Sequence, residues 1–137
     1  MKYVGSDILK IKDTDIVVGS KDAKVTIIEY SSLTCPHCAH FHKDAYGKLD
    51  ELYIKTGKVK YILRDFPLNA PALLAAKISH CAGDHRYYDF IKTYFEWQDI
   101  WAFNKDYAVE IEKIAALGGI AGEKYKSCSL SKKIEDF

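Results

Sequence analysis

The chain has 137 residues, a formal charge of +1 from 20 Lys and Arg against 19 Asp and Glu, and four cysteines. A chain of this length is expected to form one domain, large enough to bury a core without disulfides. The near-zero charge offers no field to nucleic acid or an anionic membrane. The 48% hydrophobic content argues for a folded core, and no apolar run approaches the ~18 residues of a membrane span.

No apolar segment follows Met1-Lys2, so the reading expects no signal peptide. A cytoplasmic protein and a form whose leader has been removed both stay open. Ile8 to Ile11 and Ile16 to Val18 are short β-rich stretches, readable as a hairpin or as one strand after a loose lead. Val25 to Tyr30 is β-branched and nearly continuous, the pattern of a strand covered on both faces. After Pro36 the period changes. Cys38, Phe41, Ala45, Leu49 and Leu52 recur at helical spacing, and Gly57 is a suitable stop. Val59 to Phe66 reads as a second buried strand closed by Pro67, so residues 24–66 form a βαβ unit.

Beyond Pro67 the pattern is helical. Asn69 is placed to cap a helix with Pro71 in its first turn, carrying Leu73, Leu74, Ala76 and Ile78. Gly83-Asp84 interrupts it, and Tyr87 to Trp97 is aromatic at helical spacing. Asn104 is a candidate cap for a helix carrying Tyr107, Ile111, Ile114 and Leu117, stopped by Gly118-Gly119. Gly122 to Cys128 reads as a short helix, and Ser131 to Phe137 as the first turns of another.

Between the first buried strand and its helix lies Cys35-Pro36-His37-Cys38. A Cys-x-x-Cys in this setting is a redox arrangement with a physical reason. Free N–H groups and the dipole at a helix N-terminus favour a thiolate at Cys35. Pro36 costs no helix hydrogen bond there. His37 can add a positive charge or a donor, and Cys38 is spaced to attack a mixed disulfide on Cys35. The competing reading is zinc at Cys35, Cys38, His40 and His42, which lie close together with Cys38 and His42 on one helical face; a structural zinc site more often has a second close ligand pair.

Val25 to Ser32 followed by Cys35-Pro36-His37-Cys38 resembles the thioredoxin-fold disulfide oxidases of the DsbA family, as does Arg64-Asp65-Phe66-Pro67-Leu68. The resemblance implies an α/β, thioredoxin-like fold with a helical insertion. Residues 1–67 would form the redox unit, and 68–137 the insertion with the start of a connecting helix. It implies a periplasmic protein disulfide oxidoreductase that needs no cofactor or metal. Its substrates would be reduced, unfolded exported proteins, and a membrane partner would reoxidise it. Cys35 would be the nucleophile and Cys38 the resolving thiol.

The family places an acid beneath the disulfide, matching Glu29, as a proton relay to Cys38. Burial would raise the pKa of such an acid. His42 falls where relatives often carry an acid, and His40 and His42 read as helix-surface residues. In the oxidising compartment that the resemblance implies, Cys81 and Cys128 would be bridged.

Set against the family, the closing strands, final helix and cis-proline loop have no counterpart in this sequence, since its three prolines are Pro36, Pro67 and Pro71. The expected consequence is an open sheet edge and association with a second copy, by dimerisation or exchange of elements. A binding module that takes unfolded or apolar partners on Tyr87 to Trp101 is the remaining alternative.

Overall fold

A computed structural model describes residues 9–132. Three strands form one sheet: β1 (Val17–Val18), β2 (Val25–Ser31) and β3 (Val59–Asp65), in the order β1-β3-β2. β2 runs parallel to β3, from Val25 opposite Val59 to Ser31 opposite Asp65, whereas β1 is antiparallel to β3. Between the parallel strands lie α1 (Pro36–Asp44), α2 (Tyr46–Leu49) and a π-helical turn, Asp50–Ile54. After β3 come α3 (Ala70–Cys81), α4 (Asp84–Glu96), α5 (Gln98–Trp101), α6 (Tyr107–Leu117) and α7 (Gly122–Ser129). The helix start expected at Ser131 reaches residues 133–137, which lie outside the described residues, as does Ile8.

The alternation of β3 sorts its side chains. Tyr61 and Leu63 join the main core with Tyr87, Phe90, Ile91, Tyr94, Phe95 and Trp101 of the helical region. Arg64 points the other way, where Nε and Nη2 donate to the two oxygens of Asp15 at 2.9 and 2.7 Å. Nη1 donates to Tyr30 Oη at 2.8 Å, and Nη2 also reaches Lys10 O at 2.6 Å. This buried fork ties the lead before β1 to the sheet, and its geometry is the bidentate one guanidinium favours.

Two expectations are corrected here. β2 is not covered on both faces: Val25, Thr26 and Tyr30 are exposed, because β2 is an edge strand among the described residues. The face read from Cys38 to Leu52 is also displaced. Ala45 is exposed and Leu52 is 54% exposed, while His42, Tyr46 and Ile54 turn inward. Ala45 leaves ideal helical geometry at φ −111°, and the following π-helical turn shifts the register. Of the two early β-rich stretches, only Val17–Val18 forms a strand, and Leu9 and Ile11 are exposed.

Asn69 caps α3 by accepting from Ala72 N at 3.1 Å. Asn104 does not cap α6. Its Oδ1 accepts from Asp106 N at 2.9 Å in a turn, and the helix begins at Tyr107, because an Asn that bonds two residues ahead builds an Asx turn instead. At the far end of α6, Gly118 permits the close approach of Phe90. A Cβ there would lie 2.3 Å from Phe90 Cζ.

α3 and α7 are joined by a Cys81–Cys128 disulfide with a Cα–Cα distance of 5.8 Å and a sequence separation of 47. A loop of that length restricts the unfolded chain by about 4 kcal/mol in the chain-entropy model. Replacing both cysteines by serine should lower the unfolding free energy by about 2–5 kcal/mol. It should leave Cys35 as reactive as before, as urea denaturation and thiol alkylation would report.

Candidate active site

β2 ends at Ser31 and α1 starts at Pro36, so the loop between them is four residues long. Cys35 occupies the N-cap of α1 with extended backbone, φ −79° and ψ 118°, and no side-chain oxygen caps the helix. Pro36 sits at the first helical position, where a missing N–H costs nothing. The loop is held from two sides. Gln98 Nε2, buried on α5, donates to Leu33 O at 2.8 Å and Cys35 O at 3.0 Å. Thr34 Oγ1 donates to Asn69 Oδ1 at 3.1 Å, which ties the loop to the cap of α3.

This arrangement separates the two thiols. Partial burial opposes charge on Cys35, but the backbone N–H and side chain of Cys38 and the backbone N–H of His37 outweigh it, so the Cys35 pKa is lowered. Cys38 is deeper. Burial and the neighbouring Cys35 raise its pKa, only partly offset by Ser31 and the Ser32 backbone. Both cysteines are free and half-buried. His37 acts on Cys35 through its backbone N–H, and its ring is exposed.

Glu29 lies on β2, two residues before Ser31 and on the same face of the sheet. Its carboxylate accepts from His42 Nε2 at 3.0 and 3.1 Å and from Tyr61 Oη. The expected upward shift is reversed. Burial does push the Glu29 pKa up, but the bonds from His42 and Tyr61, with the Ser31 hydroxyl nearby, outweigh it and hold the pKa below its ordinary value. Burial and the Glu29 charge push the Tyr61 hydroxyl far up, so it remains a donor.

His42 is not a helix-surface residue. Its side chain is 8% exposed and stacked between Tyr46 and Phe95, with ring centroids at 5.0 and 4.5 Å. His40 is the surface residue, paired with Asp44 across one helical turn. The histidines therefore do not converge on the thiols. Among the described residues no group of three or more His, Cys, Asp or Glu is placed to hold a metal ion. That departs from the zinc reading on Cys35, Cys38 and His42: the 42 imidazole is turned to the core carboxylate.

A second acid–histidine–tyrosine cluster lies at the end of β3. Asp65 Oδ2 accepts from His80 Nε2 at 2.8 Å and Tyr87 Oη at 2.5 Å, fastening α3 and α4 to the sheet. Tyr61, Gln98 and Ser31 were not singled out from sequence. Tyr61 reads there as an ordinary strand aromatic, and Gln98 lies more than sixty residues from the loop it holds. For His42 a signal existed, since it shares a helical face with Cys38.

Strand, dithiol loop and helix together define a thioredoxin-type βαβ unit carrying helices after its second parallel strand. The sequence family described as Thioredoxin matches residues 12–137. A protein of Rickettsia prowazekii named as a protein-disulfide oxidoreductase is 40% identical over 126 residues, which is 91% of this chain and 46% of that protein. The crystal structure of Wolbachia pipientis alpha-DsbA1 superposes with a TM-score of 0.87 at 37% identity, covering 95% of this chain and 66% of that one. A protein-disulfide isomerase from Novosphingobium aromaticivorans shares the fold, with a TM-score of 0.77 at 21% identity over 90% of this chain and 75% of that one. The chain belongs to the thioredoxin family, in its DsbA-like branch. It spans about half the length of the curated relatives it matches.

The Glu29 environment sets a pH dependence. Its folded pKa lies below the ordinary 4.5, so in that window the unfolded chain binds more protons than the folded one. The contribution is therefore complete above about pH 4.5 and lost as pH falls through the folded pKa. Denaturant unfolding at stepped pH should show stability falling across this window. Glu29→Gln should flatten the fall, and an unchanged slope would count against the cluster.

Proposed function

We propose that this chain carries the dithiol site of a protein disulfide oxidoreductase, with Cys35 as nucleophile and Cys38 as resolving thiol. The observation that carries the reading is the asymmetry of the pair. Cys35 caps a helix whose N–H groups favour its thiolate, while Cys38, half-buried and deeper, has its pKa raised. In the oxidised form a substrate thiolate attacks Cys35 Sγ, the Cys35–Cys38 bond breaks, and Cys38 leaves with the electron pair and takes a proton. A second substrate thiolate then displaces Cys35, whose thiolate is a good leaving group because its pKa is low. The substrate gains a disulfide and the site becomes a dithiol.

Reduced, unfolded exported proteins are the proposed substrates. A shallow hollow of about 200 Å³ beside the thiols is lined by Tyr30, Ser32, Phe66 and Leu68. Tyr30, Phe66 and Leu68 are exposed, which suits an extended apolar segment. Reoxidation by a membrane disulfide-oxidising partner and a periplasmic location complete the proposal. The Cys81–Cys128 disulfide supports an oxidising compartment. Among the described residues no helix is long and apolar enough to cross a membrane.

Association with a second copy is also proposed, supported by the edge position of β2 among the described residues, with Val25 and Tyr30 exposed along it. Light scattering on a sizing column should give a mass above that of one 15.6 kDa chain. A monomer across the accessible concentration range would remove this part.

The site itself is tested by alkylating the reduced chain over a pH series. Cys35 should react below the ordinary thiol range and Cys38 above it. Two thiols titrating together near ~8.5 would overturn the assignment.

A further inference from the structure

Ser31 is the last residue of β2 and is 2% exposed. Its hydroxyl is the one buried side-chain polar atom among the described residues that closes no hydrogen bond. Leaving a hydroxyl unpaired in a core costs about 1–3 kcal/mol, so the position calls for a reason. Its neighbours are otherwise engaged. Ser32 Oγ bonds Thr34 Oγ1 and accepts from Leu68 N, and Thr34 Oγ1 reaches Asn69. The Asp65 carboxylate, opposite Ser31 across the strand pair, is taken by His80 and Tyr87.

Two groups remain on the face that Ser31 shares. On its own strand stands the Glu29 carboxylate, backed by His42 and Tyr61. On α1 stands the Cys38 thiol. The Ser31 hydroxyl is near enough to favour negative charge on both Glu29 and Cys38. Cys38 and Glu29 show no direct hydrogen bond, the Glu29 carboxylate being engaged by His42 and Tyr61. A hydroxyl can accept one proton while it donates another.

We propose that Ser31 Oγ is the proton relay between Cys38 Sγ and the Glu29 carboxylate. The inference rests on the oxidoreductase reading and adds a residue to it. Consider the reduced chain meeting oxidised glutathione. The Cys35 thiolate attacks one glutathione sulfur, the glutathione disulfide breaks, and one glutathione thiolate leaves. Cys38 then attacks Cys35 Sγ. As the Cys35–Cys38 bond forms, the Cys38 proton passes to Ser31 Oγ and the Ser31 proton passes to Glu29. The bond from Cys35 to glutathione breaks, and the second glutathione leaves as thiolate with the electron pair. The protein dithiol is oxidised and one glutathione disulfide is reduced. In the reverse direction the same path returns a proton to Cys38 as it leaves.

The test follows the two steps separately in the whole chain by rapid mixing with oxidised glutathione, over a pH series. Ser31→Ala should take up glutathione at Cys35 at the parental rate, which also reports an intact fold. Ring closure by Cys38 should slow by about tenfold or more, since positioned proton transfer usually contributes 10²–10⁴-fold. In the parent, closure should level off once Glu29 is ionised, whereas in Ser31→Ala it should keep rising until Cys38 itself ionises. Ser31→Thr, which keeps the hydroxyl, should restore the parental profile. Ser31→Ala combined with Glu29→Gln should be no slower than Glu29→Gln alone. Parental closure rate and pH profile in Ser31→Ala would overturn the relay while leaving the dithiol chemistry standing. A parent whose Cys35 takes up no glutathione would overturn that chemistry, and the relay with it.

Discussion

The site depends on one constraint, a helix that begins without a side-chain cap four residues after a strand ends. The first N–H groups of α1 have no partner inside the helix, and Cys35 stands where a serine or aspartate would usually accept from them. A thiolate is the charge state that best answers those donors. The rest of the molecule keeps this geometry from relaxing. Gln98 holds two carbonyls of the loop from α5, and Asn69 holds Thr34 while it caps α3. The helical region thus helps frame the dithiol loop, and of residues 68–132 Leu68, ahead of α3, lines the hollow beside the thiols.

Below the loop the same economy recurs. β2 and β3 each carry an acid on the helical face, Glu29 and Asp65, and each acid is satisfied by one histidine and one tyrosine from the packed elements. A buried carboxylate is tolerated when its lone pairs are filled by donors. The two clusters differ in purpose. Asp65 binds α3 and α4 to the sheet. Glu29 is held from α1 by His42 and from β3 by Tyr61, with the Ser31 hydroxyl close by. Burial separates Cys38 from Cys35 by disfavouring one thiolate while the helix start favours the other.

Much of the fold was legible as punctuation. Asn69 before Pro71, Gly83, Gly118-Gly119 and the β-branched runs are local signals, and the elements begin or end where those residues require. The failures share a cause. Leu52 and Ala45 were assigned inward by an even helical period, but the break at Ala45 and the π-helical turn are register changes that tertiary packing selects. Val25 to Tyr30 was read as a covered strand because composition does not show which strand lies at an edge. His42 escaped because an imidazole does not count as apolar, yet stacked between Tyr46 and Phe95 it is buried like one.

Sequence by itself determined the dithiol, its place at a helix start and the order of strand, helix and strand. These follow from backbone chemistry within a few residues: a proline that tolerates the first turn, three-residue spacing of two sulfurs, and β-branched runs on either side. Only the tertiary structure decided which groups meet at the dithiol loop and at Glu29. Gln98, Tyr61, His42 and Ser31 reach the site from four different elements. Their roles rest on distances and on burial, and burial is a property of the whole packed chain.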